Sequence, residues 1–197
     1  MVTTAPTTTV EPLTTDRFGD LAGLFKEGGD PKWCWCMYFR KRGLSWSNST
    51  PTANRTGLRK LAARSVAPGL VAYRDGKAVG WVSVGPREDY DRLVGSKLLA
   101  PLDDVPVWSI VCFVVSRHAR RRGVAAEMLK AAIYYARKQG ATTLEAYPVA
   151  KERGRVPSAS AFHGTQIMFE KAGFEVVDVR RHNEASPPRP IMRLELA

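Results

Sequence analysis

Val107-Trp108-Ser109-Ile110-Val111-Cys112-Phe113-Val114-Val115-Ser116-Arg117-His118-Ala119-Arg120-Arg121-Arg122-Gly123-Val124-Ala125-Ala126 is the stretch whose reading decides the fold. Val107 to Val115 is a nearly continuous apolar run, the pattern of a strand covered on both faces. From Gly123 to Lys138 the period becomes helical, with Val124, Met128, Leu129, Ala132, Ile133 and Ala136 on one stripe. Gly140 supplies a helix stop, and Thr143 to Tyr147 reads as the next strand. Strand, basic turn, helix and strand make a βαβ crossover, so the two strands are expected to run parallel.

The turn itself carries chemistry. A helix N-terminus has partial positive charge and unpaired N–H groups, so folding alone favours Asp or Glu there. This chain places Arg117, Arg120, Arg121 and Arg122 there instead. A bound polyanion would turn that repulsion into attraction, and Gly123 would let the backbone approach it closely. The alternative is a solvated basic turn. There is no Gly-Lys-Ser/Thr, so a P-loop is excluded, and one glycine does not make the spaced triplet of a dinucleotide fingerprint.

Working outward, Met1 to about Thr8 is Thr-rich and expected to be disordered, leaving 9–197 as one domain. Thr9 to Leu13 reads as a short strand. Thr14 or Thr15 is a candidate cap for a helix bearing Phe18, Leu21, Leu24 and Phe25, stopped by Gly28-Gly29. A second helix is expected from about Ala53 to Arg64. Leu70–Tyr73 and Ala78–Val84 flank Asp75-Gly76, a tight hairpin signal. Arg87 to Lys97 reads as a short helix or loop, and Lys151 to Pro157 as a charged loop. Ser160 to Lys171 reads as a helix, followed by a strand to about Val179. After the Pro-rich connection from His182 to Pro190, a last strand spans Ile191–Leu196.

With that order in place, a family resemblance emerges. Arg120-x-x-Gly123-x-Ala125 resembles the Q/R-x-x-G-x-G/A signature of the GCN5-related N-acetyltransferases (GNAT). Met168-Phe169-Glu170-Lys171-Ala172-Gly173-Phe174 resembles that family's late segment, often Leu-Tyr-Glu-Lys-x-Gly-Phe. The resemblance is specific from about Val107 to Val179 and says little about residues 30–65. It implies a single α/β domain: a splayed, mixed sheet of about six to seven strands with helices on both faces. It implies acetyl-CoA as co-substrate and transfer to a primary amine by direct attack on the thioester. The pantetheine arm would bond to the main chain of Phe113 and Val115, with the acetyl thioester near Phe113 and Val114, and the pyrophosphate would sit on the N–H groups of Arg122, Gly123, Val124, Ala125 and Ala126. Arg120, Arg121 and Phe169 are the further cofactor-binding candidates. No metal is required.

The resemblance also nominates catalytic groups. Leu144-Glu145-Ala146 matches the family's Leu-Glu-Val, where some members use the Glu as general base. Glu145 is the candidate base, against a reading as a structural ion pair. The family's usual acid is the Tyr of Leu-Tyr-Glu-Lys, but here Phe169 has no proton to give. Tyr147 is the candidate substitute, with His163 behind it. Without a substitute, the thiolate leaves unassisted or the protein senses acyl-CoA with little turnover.

Composition bounds the remaining options. The 197 residues, 44% hydrophobic, suit one soluble domain. No apolar run reaches membrane-spanning length and no apolar signal core opens the chain, so a cytoplasmic setting is expected. Three cysteines are too few for a disulfide framework. Cys34 and Cys36 lie within Trp33-Cys34-Trp35-Cys36-Met37-Tyr38-Phe39, which reads as packing or pocket lining rather than a metal site, because no histidine shows ligand spacing. Cys112 reads as core. The formal charge of +11 favours an anionic partner. Arg40-Lys41-Arg42 and the helical Arg55, Arg59, Lys60 and Arg64 are compatible with an acceptor amine on RNA, and equally with a solvated face. A small-molecule or protein amine is the expected acceptor, selected by loops 30–65, 86–105 and 151–159. The family resemblance also implies a homodimer through the C-terminal strands.

Overall fold

A computed structural model describes residues 7–150 and 161–196. Residues 1–6 of the Thr-rich tail, the charged loop from Lys151 and the expected helix start at Ser160 lie outside the described residues.

Seven strands form one sheet: β1 (Thr9–Pro12), β2 (Gly69–Arg74), β3 (Lys77–Pro86), β4 (Trp108–Val115), β5 (Thr143–Ala146), β6 (Glu175–Arg180) and β7 (Arg189–Glu195). Their order is β1-β2-β3-β4-β5-β7-β6. Only β4 and β5 pair in parallel; the other neighbours are antiparallel. The β2–β3 turn has φ of 49° at Asp75 and 72° at Gly76, the doubly positive conformation that the Asp-Gly pair predicts.

The decisive feature is where β4 and β5 stop pairing. Their register runs Trp108↔Leu144, Ser109↔Glu145 and Ile110↔Ala146, and ends there. β4 continues to Val115 along β3, with a register shift opposite Val111. Its other edge, from Val111 onward, is therefore released from β5, which is the expected splay.

Helices cover both faces. α6 (Val124–Lys138) lies on β2, β3 and β4, with Val124, Met128, Leu129, Ala132 and Ala136 against Leu70, Ala72, Val82 and Ile110. The opposite face carries α1 (Phe18–Lys26), whose Phe18, Leu21 and Phe25 pack with Val71 and Trp81. Gly80 permits the close approach of α6. A Cβ there would stand 2.8 Å from Met128 Sδ and 3.0 Å from a Val124 methyl.

Local chemistry moved several boundaries. α1 follows Arg17 with no side-chain cap, while Thr14 accepts from Arg17 Nη1 at 3.2 Å. Two short helical turns, α2 (Pro31–Cys34) and α3 (Leu44–Ser47), precede α4. α4 (Pro51–Leu61) begins and ends earlier than its periodicity suggests, because Thr50 accepts from the Ala53 N–H and Pro51 opens the first turn. α5 (Asp91–Val94) supplies the short helix after β3. The expected helix from Ser160 to Lys171 shrinks to α7 (Gln166–Glu170), capped by Thr165. Gly164, at φ 80°, separates it from a single turn at Ala161–His163. Gly is required there, since a Cβ would approach Phe169 and Met168 side-chain atoms to 2.8 Å.

Candidate active site

The open edge of β4 looks into a cavity of about 1220 Å³. One end is cationic, with Arg117, Arg120 and Arg121; the other is aromatic, with Trp33, Tyr38, Phe39, Trp46 and Phe162. Phe113, Val114 and Val115 line the course between them, and Gly164, Thr165 and Met168 close one side. A smaller concavity of about 300 Å³ adjoins the cationic end, lined by Arg120, Arg121, Gly123, Val124, Ala125 and Ala126.

This second concavity is the N-terminus of α6. Glu127 is the first residue whose N–H reaches back into the helix, to Gly123 O at 3.1 Å. The N–H groups before it have no intrahelical acceptor, and among the described residues no side chain caps the helix. Gly123 sits at φ 82° and Arg121 at φ 60°, so the backbone curls into a left-handed turn. A Cβ built on Gly123 would meet no atom within 4 Å, so the space above the turn is open. Converging N–H groups, a positive dipole end and two lining arginines fit a pyrophosphate. Arg120 Nε also donates to Val115 O at 3.3 Å, tying the turn to the strand end.

Phe113, Val114, Val115, Arg120, Arg121, Gly123, Val124, Ala125 and Ala126 thus share one continuous surface. Arg122 does not join it. It lines neither concavity, and its carbonyl accepts from Arg74 Nη2 at 2.6 Å. Phe169 is also displaced. It is fully buried between Phe113 and Phe174, at ring separations of 6.1 and 5.1 Å, and Met168 faces the cavity in its place. The late segment resembles the family pattern, but the one-turn helix seats its aromatic ring in the core.

The structure places Glu145 and Tyr147 apart from the cavity surface. Both lie on the sheet face away from α6, and neither lines the cavity. Glu145 is only 2% exposed. Its Oε1 accepts from Arg193 Nε at 2.9 Å and stands 2.8 Å from Arg193 Nη2 in an ion pair. Its Oε2 accepts from Tyr147 Oη at 2.7 Å and Arg87 Nη1 at 3.3 Å. Register explains the placement: Glu145 lies between Ser109 and Arg193 on neighbouring strands. A buried carboxylate held by two guanidiniums is a structural ion-pair centre, whose partners satisfy the charge that burial would otherwise leave alone. Burial, reinforced by the Glu145 charge, pushes the Tyr147 hydroxyl far above the usual phenol range, which suits a structural hydrogen bond rather than proton donation. The pair fixes β5 against β7 and the segment after β3.

His163 is also outside the lining. Burial and nearby Arg189 push its pKa down to about 3, so the ring is neutral. It stands beside Phe162 and Phe39, and its Nδ1 has no hydrogen-bond partner among the described residues. Most of the basic segment that raised an RNA reading is used internally. Arg40 and Arg64 bind Asp89, Lys41 donates to Asn54, and Arg55 lies over Trp35.

The cysteine and aromatic segment divides as its packing-or-pocket reading expects. Trp35, Cys36, Met37 and Phe39 are buried, while Trp33 and Tyr38 are exposed on the cavity side. All three thiols line the cavity and are free. Among the described residues, no group of three or more His, Cys, Asp or Glu side chains could hold a metal. Sequence reasoning did not find Glu27, Asp30, Thr165 or Met168 in the lining, since each belongs to a turn or short helix without a periodic signal.

Comparison with known proteins places this geometry. The model of the acetyltransferase (GNAT) family matches residues 33–156. No curated protein sequence matches the chain. Among solved structures, an acetyltransferase of the GNAT family from Streptococcus pneumoniae superposes with TM-score 0.57 at 13% identity, covering 97% of this chain and all of that one. The ribosomal-protein-S18-alanine N-acetyltransferase of Escherichia coli gives 0.53 at 15% identity, covering 97% of this chain and 95% of that one. The polyamine N-acetyltransferase of Drosophila melanogaster gives 0.55 at 14% identity, covering 96% of this chain and all of that one. At these identities the structural likeness speaks for the fold.

Proposed function

Because the chain belongs to the acetyltransferase (GNAT) family, we propose that it transfers the acetyl group of acetyl-CoA to a primary amine. The observation that carries this reading is the continuity between the uncapped, glycine-opened N-terminus of α6 and the released edge of β4. The first supplies N–H groups and arginines for the pyrophosphate, and the second supplies a strand edge no longer paired to β5, along which an extended pantetheine arm can lie. Acetyl-CoA is a substrate here, and it brings the activated acyl group with it.

The acceptor enters from the side of α2 and α3. Trp33, Tyr38 and Trp46 form a wall there, with Trp46 5.2 Å from each of the other two ring centres. Aromatic faces suit an amine carried on an apolar body, and they attract it while it is still protonated. The protein's side chains orient the amine and exclude water; no metal is needed. Three free thiols and chemistry dependent on acetyl-CoA support a cytoplasmic setting. Among the described residues, no helix is long and apolar enough to cross a membrane.

The test is free-CoA release with acetyl-CoA and a panel of amines: polyamines, arylalkylamines, amino acids and peptide N-termini. Turnover on any class supports the proposal. Stoichiometric binding without release would favour an acyl-CoA sensor.

A further inference from the structure

α2 and α3 are four-residue turns that bury none of their own residues. Core packing therefore does not account for their sequences. They, and the segment between them, place three aromatic rings in a row at one end of the cavity. The Trp46 ring centre stands 5.2 Å from that of Trp33 and 5.2 Å from that of Tyr38, at interplanar angles of 71° and 86°. Both are edge-to-face contacts at a separation that aromatic pairs prefer. The row is left open: Trp33 is 41% exposed, Tyr38 is 37% exposed, and all three residues line the cavity. Covering an exposed ring is favourable, and a further ring can join the row edge to face, as Trp46 does.

The charges around the row are equally particular. Arg92, on α5, backs it without lining the cavity. Its backbone N–H donates to Phe39 O at 3.0 Å, and its Nε donates to Tyr38 O at 2.8 Å. Its guanidinium carbon lies 3.9 Å from the Tyr38 ring centre and 5.7 Å from that of Trp46. Among the described residues, no carboxylate pairs with it. Two carboxylates line the cavity, Glu27 and Asp30. Glu27 is engaged beyond the end of β4, where it accepts from Ser116 Oγ at 2.7 Å. Asp30 stands beside the row, on the same turn as Trp33, whose N–H donates to the Asp30 carbonyl at 2.9 Å. Its carboxylate accepts no hydrogen bond among the described residues. One fixed cation thus stands behind the rings and one free carboxylate beside them.

We propose that the acceptor is an arylalkylamine, a single amine on a short chain that ends in an aromatic ring. This rests on the reading of the cavity as an acetyl-CoA site. The acceptor's ring joins the row of Trp33, Trp46 and Tyr38, and Asp30 meets its one ammonium before the proton is lost. Arg92 determines specificity from outside the cavity. Its guanidinium already occupies one face of Tyr38, and its charge repels an acceptor that brings a second cation. Polyamines are disfavoured for that reason. Aliphatic monoamines are disfavoured because they have no ring to add to the row and cover less apolar surface.

The full chain, saturated with acetyl-CoA, is assayed for free-CoA release with phenethylamine, hexylamine and spermidine, each rate referred to the neutral amine. The kcat/KM for phenethylamine should exceed that for either of the others by about tenfold or more. Arg92→Gln should raise spermidine relative to phenethylamine several-fold, whereas a variant that only loosened the wall would lower both alike. Trp46→Ala should raise KM for phenethylamine about tenfold and leave KM for acetyl-CoA within about twofold. Tm with and without CoA checks that each variant is folded and binds the cofactor, and Trp33→Ala is read in place of a Trp46→Ala that does not fold. Fluorescence titration of the CoA complex with phenethylamine reads binding apart from turnover. Hexylamine or spermidine used as well as phenethylamine overturns the inference and leaves the acetyltransferase reading standing. An Arg92→Gln variant with an unchanged spermidine ratio, or a folded Trp46→Ala with an unchanged KM for phenethylamine, does the same. Saturable binding of phenethylamine with no CoA released by any amine overturns the acetyltransferase reading and keeps the aromatic amine subsite. No saturable binding and no turnover overturns both.

Discussion

Glu145→Gln separates a structural carboxylate from a chemical one. The substitution keeps shape and volume but removes the charge that neutralises Arg87 and Arg193 and places an amide N–H₂ among their donors. The two arginines do not lose everything. Arg193 retains Asp103 at 2.5 and 2.9 Å. Arg87 retains the Leu93 and Leu99 carbonyls and the Tyr147 hydroxyl. Breaking a buried pair by removing one partner costs about 3–5 kcal/mol, and these remaining contacts argue for the lower end, about 3 kcal/mol. For a domain of this size, that corresponds to a fall in Tm of about 6–12 °C. Thermal and urea unfolding read the loss, while free-CoA release per folded molecule reads the chemistry. The expected result is a clear fall in Tm with kcat/KM for a working amine preserved within a few-fold across neutral and alkaline pH. An unchanged Tm with kcat/KM reduced a hundredfold or more would refute the reasoning and restore Glu145 as the base.

Saturating CoA at about a hundred times Kd should add about 2.7 kcal/mol, a rise in Tm of about 5–11 °C in differential scanning fluorimetry. Gly123→Glu should remove that rise, because a side chain at φ 82° costs roughly 1–2 kcal/mol and its carboxylate fills the anion's place; a rise that survives would move the pyrophosphate elsewhere. Phe169→Tyr should lower stability by about 1–3 kcal/mol, by burying a hydroxyl among Phe113, Phe174 and Met168, without accelerating CoA release; faster release would show that the phenol reaches the thioester. Stability should fall as pH drops below about 6.5, because the unfolded chain then protonates His163 while the fold, with a pKa near 3, does not. The slope is at most about 1.4 kcal/mol per pH unit, or about 2 kcal/mol between pH 6.5 and 5, above the range where Asp103 and Asp178 lose their arginine partners. Urea unfolding of His163→Gln should show a flatter dependence over that interval, and an unchanged slope would assign the effect to other groups.

The elements legible in the sequence were those fixed by short-range chemistry. The Val107–Val115 run, the stripe of α6 and Asp75-Gly76 each meet a local requirement: burial on two faces, a period of 3.6, or positive φ at two adjacent residues. The arginine turn was legible because four cations at a helix start oppose the dipole and ask for an anion. Helix ends were less legible. Thr50-Pro51 and Gly164-Thr165 carried the signals for α4 and α7, but the apolar periodicity around them continued past the true boundaries.

What only tertiary structure decided was which side chains face one another across strands and loops distant in sequence. Glu145 matched a catalytic motif, but a strand alternates its faces every residue, and the neighbouring strands determine what each face meets. β7 placed Arg193 opposite it, and the segment after β3 brought in Arg87. Cys36 and Trp81, 45 positions apart in number, are brought together because packing of Trp35 against Phe18 and Phe25 sets one loop onto one strand. The sequence by itself determined the strand, the helix and the glycine turn that can hold a pyrophosphate, since those depend on neighbours within a few residues. The fold determined which groups stand at the far end of the cavity, because their meeting depends on long-range packing that local periodicity does not encode.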